Sequence, residues 1–129
     1  MPALAAVIGC SEPRIPVFPV SGKVTYQGKP PVGAQIVLHA KGNAESYGIA
    51  PVGVVKSDGS FAITAYEPED GAPQGEYVAT IQWFKTITNE GGTGAGPNVL
   101  PVKYASAQTS PIKVNVNGGP TQIPPIAIQ

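Results

Sequence analysis

Short runs in which every second residue is apolar recur along this chain, and each is closed by a turn-forming residue. Val20, Gly22, Val24 and Tyr26 alternate with Ser21, Lys23 and Thr25. Ala34, Ile36, Leu38 and Ala40 alternate with Gln35, Val37 and His39. Phe61, Ile63 and Ala65 form a third set, and Tyr77, Ala79, Ile81 and Trp83 form the longest. Ile112, Val114 and Val116 alternate with Lys113 and Asn115, and Ile123, Ile126 and Ile128 follow around Pro124 and Pro125. A period of two sends successive side chains to opposite faces of a strand, so each run offers one apolar face to a core. No stretch carries the 3.6-residue period of an amphipathic helix.

The punctuation agrees. Gln27-Gly28-Lys29-Pro30, Ser57-Asp58-Gly59-Ser60 and Asn117-Gly118-Gly119 are turn signals, and Asp-Gly tolerates the positive φ that tight hairpins need. With Val52 to Lys56 as a further short strand, the pattern predicts an all-β fold. The expected architecture is a seven-stranded antiparallel β-sandwich, in which two stacked sheets bury all the apolar faces at once. The longest strand is expected to be central, and the Pro-interrupted last one to lie at an edge.

Composition limits what such a domain can do. At 129 residues the chain holds one ordinary domain, large enough to be stable without disulfide or metal. Its single cysteine cannot form an internal bridge. Charged residues are 12% of the chain, about half the usual share, and eight basic residues balance eight acidic ones. Without a basic stripe, a nucleic-acid partner is not expected. No apolar run reaches the ~18 residues of a membrane span.

The chain changes character at Cys10. Residues 1–9 are apolar. Residues 11–19 contain Pro13, Pro16 and Pro19 and read as an extended, polyproline-like linker. The body is residues 20–129. Val7-Ile8-Gly9-Cys10 resembles a lipobox, where a small residue precedes the cysteine of bacterial lipoprotein signals. That resemblance implies a leader over residues 1–10, lipidation of Cys10, export, and a membrane partner reached through an N-terminal lipid. Two or three acyl chains at about 0.8 kcal/mol per buried methylene hold a protein firmly. The leader departs from the secretory pattern in having no Lys or Arg before Cys10.

Four motifs in order carry a second resemblance. Gly22-Lys23-Val24 is followed by Gly28-Lys29-Pro30-Pro31-Val32-Gly33-Ala34. Asp58-Gly59-Ser60-Phe61 and Gly75-Glu76-Tyr77 come next, then Leu100-Pro101-Val102-Lys103-Tyr104. This series is similar to carboxypeptidase regulatory-like (transthyretin-like) β-sandwich domains of exported bacterial lipoproteins. It implies a structural, adhesive or ligand-presenting module in the cell envelope, without catalytic activity or cofactor.

Candidate chemistry is sparse. His39 is the only histidine and falls on the outward face of its strand. With neither a second His nor a second Cys, no triad or zinc site can be composed around it, and catalytic and metal residues are predicted to be none. Glu67, Glu69, Asp70 and Glu76 crowd one segment, but lack the D-x-D-x-D-G spacing of a Ca²⁺ loop, so a solvated turn is expected. Gly91, Gly92, Thr93 and Gly94 have no Gly-Lys-Ser/Thr ending and no following helix, which favours a flexible loop over a phosphate cradle. The segment 88–101 reads as a flexible loop and is the best place for partner contact, with Trp83 and Phe84 at its base. A plain solvent-exposed insertion is the competing reading. Leu100 and Tyr104 are expected to tuck back onto the body, and Trp83 to pack at the rim of the core. Two rival functions stay open. One is a carbohydrate-binding module using Trp83, Tyr47, Tyr66 or Phe84. The other is a subunit of an envelope assembly, pairing through residues 123–129.

Overall fold

The computed structural model describes residues 15–42 and 48–129. The protein is all-β, and no α-helix occurs among the described residues. The strands are β1 (Val17–Phe18), β2 (Val20–Tyr26), β3 (Gln35–Lys41), β4 (Val52–Val54), β5 (Ser60–Ala62) and β6 (Ala72–Pro73). They continue with β7 (Gly75–Gln82), β8 (Phe84–Asn89), β9 (Gly92–Asn98), β10 (Lys113–Val116), β11 (Thr121–Gln122) and β12 (Ile126–Ile128). A 3-10 turn over Val102–Ala105 precedes β10.

One four-stranded sheet has the order β10-β7-β3-β4, with every pairing antiparallel. In the second sheet β2 lies between β5 on one side and β11 with β12 on the other. Inward-facing residues of both sheets belong to one apolar cluster. Ile36, Leu38, Ala79, Ile81 and Val116 come from the first; Val20, Val24, Phe61, Ile123 and Ile128 belong to the second or its flanks, all at 3% exposure or less. The ring of Phe61 occupies the space beside Gly22, where a Cβ would stand 2.8 Å from its Cζ. Glycine at that inward position therefore makes room for the largest fully buried side chain of the core. Leu100 and Tyr104 are buried in the same cluster, and Trp83 packs against it half-buried, as expected.

The period-two alternation translates into burial with few exceptions. Val114 and Val116 are buried between exposed Lys113 and Asn115. β7 is the longest strand and is interior to its sheet. The Asp58-Gly59 turn joins the strands on either side of it, with Gly59 at φ +88°.

Four features differ from the sequence expectation. The strand segments outnumber seven, because short pairings such as β1 with β6 are formed by residues read as linker and loop. The pairing is not uniformly antiparallel: β11 and β12 run parallel to β2, since the chain crosses from the edge strand β10 to the other sheet before running beside β2. The segment 88–101 is not a loop. Most of it belongs to the β8–β9 hairpin, a separate two-stranded sheet. Glycine content argued for a loop, but threonine-rich β8 supplies the strand preference that glycine-rich β9 lacks. Finally, residues 17–18 of the proline-rich linker are tied to the body by the β1–β6 pairing.

Strand direction gives the domain two distinct ends. The start of β2, the end of β3, the start of β7 and the end of β10 share the end at which the N-terminal segment enters through β1. The end of β2, the start of β3 and the end of β7 share the opposite end. A seven-residue strand separates the two by roughly 23 Å.

Candidate functional site

The far end carries two of the aromatic residues singled out by sequence, Trp83 and Phe84. Trp83 follows the last residue of β7, and Tyr26 is the last residue of β2. Their rings meet edge to face, with centroids 6.2 Å apart and planes at 83°. The Trp83 indole Nε1–H donates to the Val32 carbonyl at 2.9 Å, fixing the ring over the segment that leads into β3. Tyr26, Gln27, Lys29, Pro30 and Trp83 line an open groove of about 340 Å³. Phe84, 41% exposed, stands at the start of the hairpin.

Asn98 clamps the base of the β8–β9 hairpin. Its Oδ1 accepts the Trp83 backbone N–H at 2.8 Å and the Leu100 N–H at 3.1 Å. At the tip, Asn89 Oδ1 accepts the Gly91 N–H at 2.8 Å, and the Thr88 and Thr93 hydroxyls lie 3.3 Å apart across the strands. Gly91, Gly92, Thr93 and Gly94 are all exposed. The structure does not gather the predicted contact residues into one patch. Trp83 and Phe84 sit at the base of the hairpin and the glycines at its tip, roughly 17 Å apart along β8.

The acidic segment is a built turn. Asp70 accepts backbone N–H groups from Ala65 at 2.7 Å, Tyr66 at 3.1 Å and Glu67 at 3.0 Å. Partial burial pushes its carboxyl up, but the three amides outweigh that and hold it below the ordinary aspartate value. Its oxygens are thus engaged with their own loop. Glu69 pairs with Lys56 at 2.9 Å in an exposed contact worth little to stability. Among the described residues, no group of three or more His, Cys, Asp or Glu side chains is placed to hold a metal ion. At the Asp58 turn, hydrogen bonds from the Ser60 hydroxyl and amide hold the carboxyl low.

His39 does acquire a partner that the sequence did not reveal. Its Nε2 lies 2.9 Å from the Thr80 hydroxyl on the outer face of the four-stranded sheet. The two residues are 41 positions apart, and only the β3–β7 register, which sets Val37 opposite Thr80, brings them together. Thr80 is 4% exposed, and the contact is partly buried.

Cys10 and Tyr47 lie outside the described residues. Tyr66 is half-buried beside the Asp70 turn, away from Trp83 and Phe84 in the fold. No family model, curated protein or solved structure matches this chain.

Proposed function

We propose that this chain is a non-enzymatic binding module of the cell envelope, carried on a lipidated Cys10, with a β-sandwich body of the carboxypeptidase regulatory-like kind. The observation that supports it best is the polarity of the domain. The N-terminal segment enters at one end, and the hairpin and aromatic groove stand at the other. A protein tethered through residues 10–16 would hold its near end toward the membrane and present the Tyr26–Trp83 groove and the hairpin outward.

Two further features favour the sandwich. Both four-stranded sheets contribute to one apolar cluster. The Tyr77 hydroxyl returns to the Pro73 carbonyl four residues upstream, a corner device found in sandwich domains. Two features favour presentation over pairing or stacking. Pro124 and Pro125 interrupt the β11–β12 edge, which blunts strand addition there. The perpendicular Tyr26 and Trp83 rings do not make the flat platform on which a neutral sugar stacks.

Mass spectrometry of the N-terminus from native cells tests the anchor. The expected mature chain starts at an acylated Cys10. A chain that retains residues 1–9 with an unmodified thiol overturns the reading.

A further inference from the structure

The outer face of the β10-β7-β3-β4 sheet holds a second set of polar groups, well apart from the far-end groove. Strand register places Lys41, Glu76 and Asn115 in one row across β3, β7 and β10. The next row holds His39, Val78 and Lys113. Lys41, Glu76, Lys113 and Asn115 are exposed around a buried Val78. They line an open depression of about 380 Å³, within the size range of small-ligand sites. Adjacent strands lie about 4.8 Å apart, so the Cα atoms of Lys41 and Lys113 are separated by roughly 12 Å with Glu76 between them. Among the described residues, neither lysine forms an ion pair with Glu76.

We propose that this depression binds a hydroxylated carboxylate, in the form of a hexuronate unit of an acidic saccharide. The donor set selects that class. Two ammonium groups only donate, and an ionised Glu76 only accepts. A ligand must therefore bring negative charge for the lysines and hydroxyl donors for Glu76 at the same time. A bare anion meets repulsion from Glu76. A neutral sugar leaves both lysines uncompensated, and among the described residues the depression offers it no exposed aromatic ring, because the Tyr77 side chain is buried on the core side. The Asn115 amide can both donate and accept, and so bridges ring hydroxyls.

The test is titration of the full chain with a galacturonate disaccharide, followed by calorimetry and by amide chemical shifts. Expected are shifts centred on Glu76, Val78, Lys113 and Asn115. The Lys41→Gln/Lys113→Gln variant weakens binding by at least about tenfold, through loss of charge-assisted contacts. Glu76→Gln weakens the saccharide acid but not inorganic phosphate. All three positions are exposed, and unchanged urea midpoints show that the variants fold. Absence of binding overturns the proposal, as does equal affinity for neutral galactobiose or for phosphate. Indifference to the lysine substitutions, or shifts confined to the Tyr26–Trp83 groove, also overturns it.

Discussion

Tyr77 donates its buried hydroxyl to the carbonyl of Pro73 at 2.7 Å, joining the entry of the longest strand to the short β6 segment just before it. The ring lies in the core at 2% exposure, so the pair closes the near end of the domain from the inside. Tyr77→Phe keeps the ring and strips one donor from a buried carbonyl. The expected cost is about 1–2 kcal/mol, read as a lower urea midpoint with unchanged m-value. An unchanged midpoint refutes a structural role for this hydroxyl.

Gly71 fixes how the N-terminal segment joins that same end. Its φ is +111°, and a Cβ there would collide with the Phe18 carbonyl. Gly71→Ala therefore strains the backbone and forces β1 away from β6. The expected loss is about 2 kcal/mol or more, from the positive φ alone. Faster amide exchange at Phe18, with β7 protected as before, distinguishes release of the strap from global loosening.

Most of the β body was legible because alternation is a local signal: Val20 to Tyr26 and Ile112 to Val116 declare their buried faces without help from distant residues. What was not legible depends on register and crossover. His39 and Thr80 meet only through the β3–β7 pairing. The parallel course of β11 and β12 beside β2 depends on where the chain changes sheets. Glycine misled in one place. Gly92, Gly94 and Gly96 carry no side-chain pattern, so β9 is defined by its backbone pairing with β8 and leaves no periodic trace. The candidate contact region was found in sequence by its composition, but its division into an aromatic base and a glycine tip was not, since that follows from the hairpin.

Asp70 makes stability depend on acid. Its carboxyl is held below the ordinary value in the folded protein, because its three amide donors outweigh the opposing effect of burial. A depressed carboxylate contributes its full stabilisation above the unfolded pKa of about 3.9 and loses it as pH falls through the folded value. Asp70→Asn gives up the charge-assisted part, on the order of 2 kcal/mol near neutrality. The gap between wild type and variant should therefore be widest near pH 6 and shrink below about pH 4. Thermal melts across that range read it directly, and a gap that grows on acidification contradicts the assignment.

The last prediction separates the hairpin from the body. Among the described residues β8 and β9 pair only with each other, and a two-stranded ribbon is marginal alone in water. Its attachment rests on Asn98, whose Oδ1 takes two backbone donors, and on the Val99 N–H bonded to the Trp83 carbonyl at 3.0 Å. Asn98→Ala leaves the Trp83 and Leu100 amides without that acceptor, at an expected cost of about 1–2 kcal/mol confined to the far end. Hydrogen exchange should accelerate across residues 84–98 while β3 and β7 amides stay protected. Trp83 is the only tryptophan, so its fluorescence reports the same event as increased quencher access before global unfolding. If the hairpin and β7 instead lose protection together, the far end is an integral part of the folding unit and not a presented arm.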